Sequence, residues 1–509
     1  MKSIVKLIFI SAGILLTMQN GFAQIDPGAL GYYKEALLFS RNNAVGTART
    51  QALGGAQMAL GGDIGNVYSN PAGLGFFNHS QFSITPELMS YNNESKYMNG
   101  ILNNSGARLG IGNLGIVWAK TQGNDNGLKS SSFGISYTKV NNFNNEISYE
   151  GQNTDNSIID TFIAAANGAT ISQFEDGGSM VNSLAYLGFN NYLIGPSNIL
   201  PVDHPKYGAD TEYFTDVDGI PNQSETIKTS GSQNQWSFSY GANFKDKFYI
   251  GANIGVQSIT YESHKIYGEQ FKDGPLFNLE LKENLKIEGK GFNASLGMIY
   301  RPVSIVRFGF TITSPTYFNF TEESDASLNT NWDNFQYDDN TTLNEVSEET
   351  SIALSKYELK TPMKISTGAA IFINKNGFIT GEVEFINYGK ANLNSLDFSP
   401  NSDNKTIKNI YTSTVNFKLG GEYRFDIFRA RLGYAYYDNP STLDGLDKSI
   451  QTYSAGVGVK LPNFYADFAL TNSKRGSENY APYSIGSNQP TAVFDGNITK
   501  AVITIGFTY

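Results

Sequence analysis

The stretch Ala501-Val502-Ile503-Thr504-Ile505-Gly506-Phe507-Thr508-Tyr509 alternates apolar with small or polar side chains and finishes on an aromatic residue. A period of two puts successive side chains on opposite faces of a β-strand. A last strand of this kind is expected to close a bacterial outer-membrane barrel against its first strand. It is also the element expected to meet the barrel assembly machinery. The same alternation recurs through most of the chain, so this strand reads as one stave of many.

Composition points the same way. Of 509 residues, 17% are charged and 13% aromatic, with 30 Tyr and 34 Phe, and mean hydropathy is -0.29. A membrane-spanning helix needs about 20 consecutive apolar residues, and nothing after residue 23 approaches that. A barrel strand needs an apolar side chain only at alternate positions over about ten residues. The net charge of -10 argues against nucleic acid as a partner. The absence of cysteine excludes disulfides and thiolate metal sites. Residues 1–23 read as a signal peptide: Lys2 and Lys6, an apolar core over 7–16, and Gly21-Phe22-Ala23 before the cleavage point.

From residue 81 onward the alternation predicts an all-β fold, a transmembrane antiparallel β-barrel of about 14 strands. They are expected near 82–91, 107–120, 131–150, 234–245, 247–265, 278–301, 305–320, 350–373, 377–388, 411–425, 428–438, 450–461, 463–473 and 497–509. Five connections are very short: Asp246, Pro302-Val303-Ser304, Asn374-Lys375-Asn376, Ile427 and Pro462. They alternate with long ones, as periplasmic turns alternate with extracellular loops. The segment 121–130 is a longer turn on the periplasmic side. The longest outer loop, 151–233, contains two apolar helix-like runs, 157–166 and 181–187.

Residues 24–80 differ. Small residues and glycines dominate Gly54 to Asp63, and Asn70-Pro71-Ala72-Gly73 follows. Glycine allows the tight turns and close packing of a confined segment, so this stretch is expected to form a plug, or hatch, in the lumen. Alternation also fixes the wall. In 411–425, Val415, Phe417, Leu419 and Tyr423 share one face, and Asn416, Lys418, Glu422 and Arg424 the other. A basic side chain facing lipid near the midplane costs about 2–4 kcal/mol, so the charged face is the lumen. Glu382, Glu384, Arg429 and Arg431 are assigned to the lumen by the same logic. These charges serve either as a polar path or as ion pairs that brace the wall and hold the plug through Arg49 or Asp63. Their clustering near the periplasmic turns favours the second.

Chemistry for catalysis is missing. The three histidines, His79, His204 and His264, lie in separate segments without ligand spacing. No nucleophile elbow or phosphate-binding loop is present. Asp216-Val217-Asp218-Gly219 lacks the further acidic positions of a calcium loop. No enzyme, metal or cofactor is expected.

Residues 46–75 resemble the start of the FadL/TodX-type outer-membrane transporters of hydrophobic compounds. The match rests on Gly46 to Arg49, the small-residue run and above all Asn70, Pro71, Ala72 and Gly73. The resemblance implies a hatch inside a 14-stranded barrel, and passive uptake of a hydrophobic small molecule or lipid such as a long-chain fatty acid. It also implies lateral release into the outer-membrane lipids through a gap at a kink in the third strand. Asn141, Asn142, Asn144 and Asn145 fall in that strand. Asparagine is disfavoured in strands, which makes these four the candidate kink. Two alternatives stand beside transport: a non-transporting plugged barrel that docks in a surface or secretion complex, and a general porin.

Overall fold

The computed structural model describes residues 30–122, 127–485 and 489–509. The expected signal peptide lies outside them. Fourteen antiparallel staves close into one barrel. In chain order they are β1 (Gln81–Tyr97), β2 (Gly100–Thr121), β3 (Leu128–Asn142, resuming as Asn145–Gln152), β4 (Asn222–Phe244), β5 (Phe248–Gln270) and β6 (Leu276–Val303). Then come β7 (Val306–Thr313 and Tyr317–Gln336), β8 (Thr342–Glu349, Ala353–Lys360 and Lys364–Ile373) and β9 (Gly377–Asn387 and Asn392–Ser395). The circuit ends with β10 (Ser413–Phe425), β11 (Phe428–Tyr437), β12 (Ile450–Lys460), β13 (Phe464–Arg475 and Glu478–Tyr480) and β14 (Ala492–Thr508). Closure is made by β14 on β1, from Gln81↔Thr508 to Tyr97↔Ala492. This is an outer-membrane β-barrel, with each of the fourteen expected strands at its place in the circuit.

The tight turns follow from local chemistry. Lys245 and Asp246 both have φ near +55° (φ 55 and 54), and Asn374 and Asp426 are also left-handed (φ 51 and 50). Hairpin turns need positive φ to match strand twist, and Asn and Asp tolerate it best.

Outward side chains are apolar over 236–244 on β4, 248–256 on β5 and 292–300 on β6, with Trp236, Phe238, Ile254, Phe292 and Leu296 all exposed. Above that band the outward positions turn polar while the strands continue. On β6 the ladder runs from Phe292 up to Leu276, roughly 50 Å along the strand at about 3.4 Å per residue. The loop expected over 321–349 is therefore a paired extension, with β7 reaching Gln336 and β8 returning from Thr342. Likewise the loop expected over 151–233 is narrower, because β3 reaches Gln152 and β4 begins at Asn222. Outward polarity disguises these extensions because water, not lipid, bathes that face.

Inside this outer fence sits an apolar cap. The two helix-like runs form α4 (Ile159–Ala166) and α5 (Leu184–Asn190), numbered after the three helices of the plug segment. With the loops beside them they bury Phe162, Leu187, Leu193 and Phe174 against Leu279, Leu328 and Trp332 of the fence. A tyrosine–carboxyl network ties cap to fence. Glu269 accepts from Ile158 N (2.9 Å), Tyr267 Oη (2.7 Å) and Gln223 Nε2 (2.7 Å). Glu225 accepts from Tyr149 Oη (2.6 Å) and Tyr480 Oη (3.0 Å). Burial pushes the Glu225 carboxyl up to about 7, against the opposing pull of Lys265 and the Tyr149 bond.

The plug segment begins at the outer mouth, where α1 (Tyr32–Leu38) packs Ala36, Leu37 and Phe39 against Phe320, Tyr357 and Ile259. It descends through α2 (Ala48–Ala52), α3 (Asn66–Ser69) and a 3-10 turn, Pro71–Phe76, to the periplasmic start of β1. The chain thus threads the lumen from the outer mouth inward before the first stave forms.

Candidate functional site

The lumen is where plug and wall meet, and the plug's own fold prepares that meeting. Thr47 caps α2 by accepting from Thr50 N at 3.3 Å, and its hydroxyl donates to Asp63 Oδ1 at 2.8 Å. Asp63 also accepts from Gly65 N at 2.8 Å. Asn70 works twice: Oδ1 accepts from Ala72 N (3.1 Å) and Nδ2 donates to the Met58 carbonyl (2.7 Å). Pro71 occupies the first position of the 3-10 turn, where a missing N–H costs nothing and φ is already set. A Cβ on Gly73 would stand 2.5 Å from Asn66 Cγ, so the Asn70-Pro71-Ala72-Gly73 element is a compact corner that admits no larger residue at its end.

The wall is thinned to receive it. Gly241, Gly251 and Gly297 lie opposite one another across β4, β5 and β6. A Cβ there would come within 2.4 Å of Pro71 O, 2.3 Å of Pro71 C and 2.0 Å of Asn70 Oδ1, respectively. Gly420 and Gly433, paired across β10 and β11, leave room for Leu53 and Gly54 in the same way. Glycine in strands marks close backbone approach, and here two rows of it form the seat.

Hydrogen bonds lock the fit. Ala48 N donates to Thr504 Oγ1 (2.7 Å), and Gln57 N and Met58 N donate to Glu382 Oε2 (3.2 and 3.3 Å). Ser239 Oγ donates to the Val67 carbonyl (2.6 Å). The seven assigned charges divide into groups. Lys418 bridges Glu382 (2.8 Å) and Glu384 (3.7 Å). Glu422 gathers Arg424 (2.6 Å), Arg431 (2.7 Å) and the plug's Arg49 (3.5 Å), while Arg431 also reaches Asp467 (2.6 Å). Arg49 pairs with Asp63 at 3.8 Å. Arg429 stands apart: its guanidinium donates to the carbonyls of Asp426 and Phe428 at the turn. It lies at the periplasmic mouth rather than among the bracing pairs, because the strand ends there. Asp467 had no signal in sequence, since only the folded register places it opposite Arg431.

Between the plug segment and the wall, below α1, lies a chamber of about 110 Å³. Gln233, Gln235, Gln257, Asn253 and Asn293 line one side, Glu384 and Lys418 another. Its amides bond one another, Gln233 Nε2 to Gln257 Oε1 at 2.7 Å and Gln257 Nε2 to Gln235 Oε1 at 2.8 Å. Such a chamber has room for several waters beside these polar groups.

The four asparagines of β3 sit at a break in the barrel ladder. The β2–β3 pairing stops at Asn113↔Thr138, and above it β2 pairs with β1 alone. The β3–β4 register shifts between Lys139 and Asn141, and Phe143-Asn144 separate the two parts of β3. Asn141 donates to the Arg41 carbonyl and to Gln233 Oε1, both at 2.7 Å. Asn142 Oδ1 accepts from Asn144 N at 3.1 Å, and Asn145 Oδ1 accepts from Asn93 Nδ2 at 2.9 Å. Side chains, not a ladder, close this seam higher up. Asn104 and Ser148 exchange two bonds of 2.8 and 3.1 Å, and Lys139 meets Glu87 at 3.0 Å.

Among the described residues no cluster suited to a metal occurs, and His264 rests on Asn284 Oδ1 at 2.9 Å on the exposed fence.

Three solved structures share the whole architecture: a Pseudomonas aeruginosa FadL homologue (TM-score 0.55, 11% identity), the P. putida toluene transporter TodX (0.53, 12%) and the Ralstonia pickettii toluene transporter TbuX (0.51, 13%). Each match covers 92% of this chain and 99% of the other. At such identities the likeness is one of fold. No curated protein matches in sequence. A family model described as BamG matches residues 194–479.

Proposed function

The chain belongs to the BamG family, and from that premise we propose that it is a plugged, non-conducting barrel that docks as a subunit within an outer-membrane assembly. The family's name points to an assembly setting for its members, and the packing of the lumen agrees with a structural role. The observation that carries the reading is the stoppered lumen. The plug is seated on glycine rows, held by Glu382 and Glu422, and overlain by a small chamber lined by amides and a packed apolar cap. Among the described residues, such an interior leaves no open channel through the lumen. The test is gentle solubilisation with affinity capture of the full-length protein. A stoichiometric partner and silent planar bilayers are expected; a lone barrel that conducts ions would overturn the reading.

A second reading has its own support, the interrupted ladder between β2 and β3. Here the barrel takes up a hydrophobic compound, such as a long-chain fatty acid or an aromatic hydrocarbon, and releases it sideways into lipid. The residues acting would be Asn141, Asn142, Asn144 and Asn145 at the seam and the Asn70–Gly73 corner below. The chain has no cysteine, so Asn104→Cys with Ser148→Cys offers a clean staple across that seam. Uptake that stops when the staple forms and returns on reduction favours transport. Unchanged uptake of every compound tried removes it.

A further inference from the structure

The chain's net charge is -10, yet its periplasmic end is cationic. The five short turns, 245–247, 301–307, 374–376, 424–429 and 460–463, carry eight Lys or Arg and two Asp. Three of these cations, Lys245, Lys247 and Lys375, are exposed at turn tips. The others, Arg301, Arg307, Arg424, Arg429 and Lys460, gather under the plug at the mouth of the lumen. Arg307 lies within electrostatic reach of Arg301 and Arg424, and Lys460 within reach of Arg424 and Arg429. The neighbouring acid, Glu422, is already shared by Arg49, Arg424 and Arg431.

Arg307 is the centre of this group. Its guanidinium is sandwiched between the rings of Phe76 of the plug (4.3 Å) and Phe372 of the wall (4.2 Å). Phe76 in turn stacks on Tyr249 at 3.8 Å. Stacking fixes both faces of the plane and leaves its hydrogen-bond donors pointing sideways. Its Nε is buried without a hydrogen-bond partner, and no ion pair to Arg307 occurs among the described residues. An arginine held this way is pre-organised for a planar carboxylate, which its fork meets with two parallel bonds.

We propose that this mouth is a docking site for a carboxylate-rich segment of a periplasmic protein, with Arg307 as its anchor and Arg301, Arg429 and Lys460 as its electrostatic rim. Phospholipid headgroups are the competing anions. They lie in the leaflet plane outside the wall, whereas this cluster faces the lumen beneath the plug. The proposal rests on the docking reading above and adds the face and the chemistry of the partner.

The test uses purified full-length protein in detergent and a fluorescein-labelled decaglutamate peptide, read by anisotropy at about 50 and about 300 mM salt. Saturable binding that weakens with salt is expected. Arg307→Gln should weaken it about tenfold and Arg429→Gln with Lys460→Gln comparably, while Lys245→Gln with Lys375→Gln changes it less than about twofold. Heat-modified gel mobility identifies any variant that fails to fold, and the Arg429/Lys460 pair then stands in for Arg307. No saturable binding, or equal loss in the turn-tip control, overturns the proposal. So does a mouth-dependent preference for phosphatidylglycerol vesicles over the peptide. Because the readout needs no cellular complex, absence of a stoichiometric partner in cells would sink the docking reading and leave this measurement standing.

Discussion

Removing the negative charge at Glu422 tests whether the plug is held or merely present. Glu422→Gln keeps the size of the side chain and one acceptor oxygen, but removes the charge shared by Arg49, Arg424 and Arg431. Arg431 is 4% exposed and keeps Asp467, so the wall retains one full pair. Among the described residues Arg49 then keeps one ion pair, Asp63 at 3.8 Å within the plug itself, and a looser contact over the Phe378 ring at 5.9 Å. Its charged link to the wall is therefore what the substitution takes away. Breaking one side of a buried ion pair costs about 3–5 kcal/mol. At about 1.4 kcal/mol per decade, the fraction of barrels with a displaced plug should rise about a hundredfold to a few thousandfold. Single-channel recording in planar bilayers reads this directly, as openings of a lumen that is otherwise silent. The matched control is Glu94→Gln, which removes the exposed pair with Lys96 and should leave conductance unchanged. Arg49→Met should mimic Glu422→Gln, and the double variant should add little to either, because both cut the same link. Bilayers that stay silent for Glu422→Gln would refute the view that charge, rather than shape alone, retains the plug.

Other consequences are as concrete. Gly309→Ala would set a methyl 2.0 Å from the Met58 carbonyl, so it should unseat the plug and raise conductance without altering the barrel's heat-modified mobility. Phe162→Ala, at a fully buried position of the cap, should cost about 3–5 kcal/mol of cap stability; faster proteolysis within 153–221, with the staves still resistant, is the expected pattern. Glu225 carries its proton to about pH 7 in the folded state against an ordinary value of 4.5. The folded form binds more protons than the unfolded one across that window, so the fence where Glu225 meets Tyr149 and Tyr480 is most stable below about pH 4.5 and loses about 3 kcal/mol as pH rises through 7. Amide exchange over 145–152 and 478–480 should accelerate accordingly, and Glu225→Gln should flatten the profile.

The barrel was legible because lipid leaves a strict trace: wherever the outer face meets hydrocarbon, alternate residues must be apolar, as in Phe417, Leu419 and Tyr423. The trace fades above the membrane. Between Tyr317 and Gln336 the inner face mixes apolar Phe318, Phe320 and Leu328 with buried Glu322, Ser324 and Thr330, and outward Asn319, Thr321 and Glu323 face water. The pattern there looks like loop although the ladder continues. The plug was recognisable by its small residues and by Asn70-Pro71, but its seat was not. Gly241, Gly251 and Gly297 are scattered in sequence and become one row only through strand register. Asp467 and Arg307 were missed for a related reason: each gains meaning from a neighbour more than thirty residues away.

The route of the plug through the barrel also links the two ends of the fold. From residue 30 the described segment runs from the cell-exterior mouth down the lumen and emerges below to begin the first stave, and the ring around it is completed by β14 on β1, from Gln81↔Thr508 to Tyr97↔Ala492. At its head a helix is braced in the upper opening, and lower down Ala48 N is tied to Thr504 of the closing strand. A defect in that final strand would therefore leave the front of the chain unclasped as well as the wall ajar.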